Sequence, residues 1–132
     1  MADQKPTIAV IGGTGALGSG LAQRWASAEY DIIIGSRSAE NAEKKAAEMS
    51  GGSIRGLENG EAAAAADIVV LTVPFGTHQA MLEAVRDGAQ GKILVDATVP
   101  LVPPKVARVQ LPPAGSAAKA AQEFLGDGVK VV

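Results

Sequence analysis

The chain has 132 residues, of which 47% are apolar but only 3% aromatic, and 12 Lys and Arg face 14 Asp and Glu for a net charge of -2. That length suits one domain with a core of Val, Ile, Leu and Ala, and the near-neutral balance excludes a charge footprint for nucleic acid or an anionic membrane. The absence of cysteine excludes disulfides, thiolate metal sites and a thiol nucleophile.

The start MADQKPT is polar where a signal peptide needs an apolar stretch, and no apolar run approaches the ~18 residues of a membrane span, so a cytoplasmic location is expected. In chain order, aliphatic runs at 7–11, 31–34, 67–73, 92–95 and 129–132 predict strands. Most lack alternation of apolar and polar residues, as strands covered on both faces do. A weaker run at 53–57 carries Arg55 and Gly56 and suits an edge strand. Ala-rich segments at 16–27, 38–49, 61–66, 77–85 and 116–125 predict helices, with Ser38 and Ser116 as N-caps and Gly126 as the last terminator. Strand and helix alternate throughout, and hairpin signals are missing. The expected fold is α/β, a doubly wound sheet with right-handed crossovers rather than an antiparallel α+β sheet.

The first strand runs straight into VIGGTGALGSG, which contains Gly13-x-Gly15-x-x-Gly18 with Thr14, Ala16 and Leu17 between. The first glycine is read as permitting the tight turn, the second the approach of a pyrophosphate, the third close packing of helix on strand. The helix N-terminus then offers unpaired N–H groups to the phosphates. This context predicts a Rossmann sheet of six mostly parallel strands, order 3-2-1-4-5-6, with helices on both faces. Gly12 leaves an overlapping Gly12-x-x-Gly15-x-x-Gly18 spacing open, and Gly20 is expected to ease packing of its helix.

At the end of the second strand stand Gly35, Ser36 and Arg37, with no carboxylate until Glu40. A carboxylate there would favour a ribose hydroxyl; a hydroxyl and a guanidinium favour a 2′-phosphate, so NADP is expected over NAD. The fourth strand ends LTVPFGTH. Pro74 turns the chain at the crevice, Val73 and Phe75 are candidate cofactor walls, and Phe75 serves equally as core. His78, the one histidine, has no evident partner and reads as a surface or helix-start residue rather than a general acid. Residues 97–115 hold five prolines and leave the carboxyl end of the fifth strand, the ligand edge of an open α/β sheet.

The stretches IAVIGGTGALGSGLA, IIIGSRSAENAEKKAAE, DIVVLTVPF, DATVPL and GSAAKAAQEFL together resemble the N-terminal domain of the coenzyme F-420-dependent NADP oxidoreductases. The resemblance implies hydride exchange between the nicotinamide of NADP and the deazaflavin ring of F-420, with both rings oriented by the protein and no side chain bonded to substrate. Carried onto this chain, Thr14, Gly15, Ala16 and Leu17 would line the pyrophosphate, with Gly13 and Gly18 shaping the loop. Ser36 and Arg37 would hold the 2′-phosphate, and Val73, Pro74, Phe75 and Val99 would lie toward the nicotinamide end. No catalytic side chain and no metal are expected.

Asn41 departs from a lysine that a relative places near the 2′-phosphate, and the segment from Pro100 to Pro113 is unlike the relatives. Such proteins continue into a helical domain that completes the deazaflavin pocket; residues 1–132 are expected to be the NADP-binding domain alone. An aliphatic strand at Val131 and Val132 is an association edge unless covered, which leaves a homodimer open. Two other readings stay open: the N-terminal domain of an imine or β-hydroxyacid reductase, and a non-catalytic NmrA-like NADP sensor suggested by the Gly12 spacing.

Overall fold

A computed structural model describes residues 4–132. Six strands, β1 (Ile8–Ile11), β2 (Asp31–Ser36), β3 (Ser53–Glu58), β4 (Ile68–Leu71), β5 (Ile93–Asp96) and β6 (Lys130–Val131), form one sheet in the order β3-β2-β1-β4-β5-β6, every neighbouring pair parallel. Between them run helices α1 (Ala16–Ser27), α2 (Ala39–Glu48), α3 (Asn59–Ala65), α4 (His78–Val85) and α5 (Ala117–Leu125). The expected fold and strand order are thus observed.

The aliphatic runs of β1, β2 and β4 are continuous because both faces of these strands are covered, whereas β5 leaves Ile93 exposed on one face. In β1, Ile8 and Val10 pack with Ala22 and Ala26 of α1 and Ala42 and Ala46 of α2. Ala9 and Ile11 point the other way, toward Ala62 and Ala63 of α3 and Leu82 and Val85 of α4. With so few aromatic residues, the small alanine faces let the helices sit close to the sheet.

Several boundaries differ from expectation for local reasons. β4 stops at Leu71, two residues short of Val73. The Thr72 N–H still reaches Ile11 O at 3.0 Å, and its Oγ1 donates to the same oxygen at 2.8 Å. Pro74 has no N–H to extend the ladder. α3 starts two residues before Glu61, because the Glu58 carboxylate caps it by accepting from Gly60 N at 3.1 Å. Ser38 and Ser116 cap α2 and α5 as expected, accepting from Asn41 N and Lys119 N. Lys92 Nζ closes the other end of α3, donating to the carbonyls of Ala63 and Ala64 at 2.7 and 2.8 Å. Burial there lowers the lysine's pKa below 10.5, opposed by the charge of Asp67. All carboxyl ends of the strands face one edge, so the connections from Gly12, Ser36, Thr72 and Asp96 meet there.

Candidate functional site

The β1–α1 connection needs its glycines for different reasons. Gly12 takes φ +74°, a left-handed turn that favours glycine. The residue that makes the turn is therefore Gly12, not Gly13 as expected from the fingerprint. At Gly13 a Cβ would lie 2.8 Å from Val10 O and 3.1 Å from two carbons of Ile34, and its N–H donates to Gly35 O at 3.1 Å. Gly13 thus seats the loop on β1 and β2. At Gly18 a Cβ would meet Thr72 Oγ1 at 2.5 Å and Gly12 O at 2.8 Å, so this glycine lets α1 lie against the β4 end, as expected. Gly20 meets nothing within 4 Å, and the packing role expected for it is absent. Gly15, the N-cap of α1, is exposed and finds only Gly12 O, at 3.4 Å. Packing does not require glycine there; an approaching ligand would.

A cavity of about 640 Å³ opens at this point, and Gly12, Thr14, Gly15, Ser36, Arg37 and Asn59 contribute to its wall. Val73 and Pro74 form its far side, with Thr77 and Met81. The glycine loop, the β2 tip and the β4 end thus surround one space. Gly13, Ala16, Leu17 and Gly18 stand outside its wall; Leu17 is exposed on α1 and Gly18 is buried beneath it. Arg37 is exposed at the mouth, and Ser36 is half-buried, its Oγ accepting from Ser38 N at 3.4 Å. Asn41 lines this cavity beside Arg37 and also borders a smaller hollow that touches Thr14, Lys44 and Lys45. Lys45 is engaged with Glu48 at 3.5 Å. Lys44, one turn along α2, brings a positive charge to a hollow where Asn41 has none.

Asn59 was not legible as a site residue. It is 2% exposed, its Nδ2 donates to Met81 Sδ at 3.3 Å, and its Oδ1 has no partner among the described residues. Buried oxygens without a donor are rare and costly.

A second cavity, of about 430 Å³, lies across the turn that follows β4. Phe75 faces this space rather than the first, opposite Leu101, Val102 and Pro112 of the proline-rich segment. That segment is folded back on itself: Leu101 pairs with Val109 in an antiparallel bridge, and Gln110 donates to the carbonyls of Pro100 (2.9 Å) and Val102 (3.1 Å). Val99 is 51% exposed and touches neither cavity.

His78 also borders the second cavity, and here the sequence reading needs correction. The residue starts α4, but its side chain is 5% exposed and its Nε2 lies 2.7 Å from Oδ2 of Asp96, a carboxylate with no exposure. The partner that seemed missing stands at the end of the neighbouring strand. Asp96 Oδ1 in turn accepts from Thr98 N at 3.0 Å. Among the described residues no cluster of three or more His, Asp or Glu could hold a metal, and no helix is long and apolar enough to cross a membrane.

The sequence profile of the family described as NADP oxidoreductase, coenzyme F-420-dependent, matches residues 7–100. An F-420-dependent NADP reductase of Methanothermobacter thermautotrophicus is 51% identical over 100 residues, which cover 71% of this chain and 43% of that protein. The one from Methanocaldococcus jannaschii is 40% identical over 136 residues, covering 95% and 60%. The chain therefore spans about half the length of the curated relatives it matches. Among solved structures, an F-420-dependent NADP reductase from Arthrobacter sp. FB24 superposes with a TM-score of 0.80 at 26% identity, covering 96% of this chain and 60% of that one. A pyrroline-5-carboxylate reductase from Coxiella burnetii, 18% identical at TM-score 0.69, shares the fold and covers 97% and 43%.

Proposed function

The chain belongs to the family of coenzyme F-420-dependent NADP oxidoreductases, and we propose that it is the NADP(H)-binding domain of an enzyme that moves hydride between NADP(H) and the deazaflavin F-420. The observation that carries this reading is the first cavity, where a glycine loop with room for phosphate meets Ser36 and Arg37 and an orphaned acceptor at Asn59.

The residues present fit the dinucleotide. The first turn of α1, from Ala16 to Gly18, would receive the pyrophosphate on free backbone N–H groups, while the Gly15 N–H donates to Gly12 O at 3.1 Å. Ser36 and Arg37 would hold the 2′-phosphate with charge-assisted hydrogen bonds, and Lys44 adds positive charge nearby. Asn59 Oδ1 would accept from a sugar hydroxyl or the base amine, which relieves its burial without a partner. Val73 and Pro74 would bound the nicotinamide end. The bound nicotinamide supplies the hydride chemistry; the protein's part is to place it and to keep water away.

The partners in this reading are small molecules, not nucleic acid or membrane, and the location is the cytoplasm. Ile93 and Val132, 41% and 68% exposed on one face of the sheet, give a second copy or the remainder of the protein an apolar surface to cover. Sedimentation of the full-length protein checks the homodimer.

Two measurements test the assignment. Arg37→Ala should weaken NADPH binding about tenfold or more while changing NADH by less than about twofold, since only the phosphate contact is lost; equal losses overturn the 2′-phosphate role. Full-length protein mixed with NADPH and oxidised F-420 should bleach the deazaflavin absorbance, and an unchanged spectrum overturns the activity.

A further inference from the structure

The far wall of the first cavity is the part of it that the sheet does not hold directly. Val73 and Pro74 come after β4 has ended at Leu71, and Thr77 stands at the start of α4. At its near end this turn is pinned by Thr72, which donates to Ile11 O through both its N–H and its Oγ1. Within the turn, the Thr77 N–H and Oγ1 both donate to Pro74 O, at 3.0 and 3.1 Å. Those bonds close the turn on itself but tie it to nothing else.

The far end is pinned by a side chain. His78 follows Thr77, and its Nε2 lies 2.7 Å from Asp96 Oδ2 at the end of β5, with both side chains almost fully buried. Asp96 is itself fixed, since its Oδ1 accepts from Thr98 N at 3.0 Å. The imidazole also supports the tip of the turn: Phe75 lies against it, ring centroids 6.0 Å apart and planes 25° from parallel. Among the described residues, no other side-chain hydrogen bond runs from residues 73–78 to a strand. Neither His78 nor Asp96 borders the first cavity.

Packing alone does not account for the pair. Leu82 and Val85 already bury α4 in one cluster with Leu71 and Leu94 of the sheet. Such apolar contacts are non-directional, whereas a hydrogen bond has a set length and angle. Burying a carboxylate and an imidazole costs desolvation that aliphatic residues of the same volume would avoid. What the pair supplies in return is a single position for the elements it joins.

We propose that His78 and Asp96 are positioning residues: the bond between them sets where the turn after β4 stands on the sheet, and so places the wall that receives the nicotinamide half of the dinucleotide. This rests on the functional reading above, in which Ser36 and Arg37 hold the 2′-phosphate and Val73 and Pro74 bound the nicotinamide end. The two halves are held by different parts of the chain. Ser36 and Arg37 stand at the end of β2, and β1 lies between β2 and β4. Loosening the turn therefore affects one half of the ligand and spares the other.

The test compares two probes on full-length protein: NADPH, and 2′,5′-ADP, which carries the 2′-phosphate and adenine but no nicotinamide. His78→Leu combined with Asp96→Asn removes the tie without leaving a carboxylate buried alone, and keeps an acceptor for Thr98 N. This paired variant should bind 2′,5′-ADP within about twofold of wild type and NADPH about five- to tenfold more weakly. His78→Gln puts an amide donor close to where the imidazole Nε2 stood, and should recover NADPH affinity to within about threefold of wild type. The inference is overturned if the paired variant binds NADPH as wild type does. It is overturned as well if the paired variant fails to fold or weakens both probes in parallel, since the pair then braces the whole domain. A His78→Gln protein as weak as the paired variant has the same consequence, because the ring and not the bond would then matter. So does a wild type that holds NADPH no more tightly than 2′,5′-ADP, because the wall would then receive nothing. If wild type binds neither probe, the functional reading falls and takes the inference with it. NADPH binding without reduction of F-420 removes the hydride-transfer part of that reading and leaves the positioning role standing.

Discussion

Three glycines of the β1–α1 segment should respond to the same change, Gly→Ala, in three different ways. At position 18 the new methyl would lie 2.5 Å from Thr72 Oγ1, 2.8 Å from Gly12 O and 2.9 Å from Gly13 Cα. Thr72 cannot swing aside without giving up its bond to Ile11 O at 2.8 Å, and the other two contacts are backbone. Overpacking against groups that cannot yield costs about 2–3 kcal/mol, and the gain of alanine over glycine inside a helix returns about 1 kcal/mol. The net loss of about 1–2 kcal/mol corresponds to a fall in Tm of about 4–8 °C in a domain of this size. Because α1 must move off the loop, NADPH binding should suffer too.

Gly20→Ala meets nothing within 4 Å. It should raise Tm by about 2–4 °C, through helix propensity alone, and leave binding unchanged. Gly15→Ala is the decisive member of the set. Its backbone, φ -77° and ψ 172°, is open to alanine, and the methyl finds only Gly12 O at 3.4 Å. Stability should therefore fall by no more than about 1 kcal/mol, the cost of alanine in place of glycine at an N-cap. The methyl would project into the cavity where the pyrophosphate is proposed to sit, and a loss of about 2–3 kcal/mol there weakens NADPH about 30- to 150-fold. Thermal unfolding and NADPH fluorescence titration measure both quantities. A Gly15→Ala protein that binds NADPH as tightly as wild type refutes the placement of the phosphates.

Two further residues give sharp expectations. Asn59→Ala removes the orphaned Oδ1 and a weak bond to Met81 Sδ, so the free protein should change by less than about 1 kcal/mol while NADPH weakens about five- to tenfold. An unaltered Kd in a titration would show that no ligand group uses that oxygen. Lys92→Met deletes the two bonds to the Ala63 and Ala64 carbonyls and should cost about 1–2 kcal/mol in denaturant unfolding. The folded pKa of Lys92 is lowered, so between that value and 10.5 the unfolded chain holds more protons and this group's contribution to stability rises with pH. The stability of wild type minus Lys92→Met should climb as pH approaches 10.5; a gap that stays flat or narrows contradicts the burial of the ammonium.

What could be read from sequence was whatever local order in the chain controls. β1, β2 and β4 are legible because a strand covered on both faces must be aliphatic at successive positions, as Ile32, Ile33 and Ile34 are, and β5 keeps the aliphatic run although Ile93 is exposed. The first cavity is legible for a related reason. Its glycine loop and its Ser36–Arg37 tip lie at the two ends of one βαβ unit, so sequence spacing nearly fixes their separation in space. Asn59 hides because polar residues are ordinary at helix starts; only the depth of α3 in the crevice shows that its oxygen has been stranded.

The His78–Asp96 pair lies between those cases. The two residues are 18 apart, separated by a helix, and no periodic pattern joins them. Yet β4 and β5 are neighbours in the strand order, and parallel neighbours bring their carboxyl ends together, as the register of Leu71 with Asp96 shows. Asp96 is the one polar residue of an aliphatic strand, and His78 begins the helix that leaves the strand beside it. A lone histidine therefore cannot be judged partnerless from its own surroundings in the chain. The strand order must be applied first, and the residues ending each adjacent strand are then its candidate partners. By that reasoning the buried carboxylate at the end of β5 was accessible to inference once the sheet had been assigned, and with it the polar group of the second cavity.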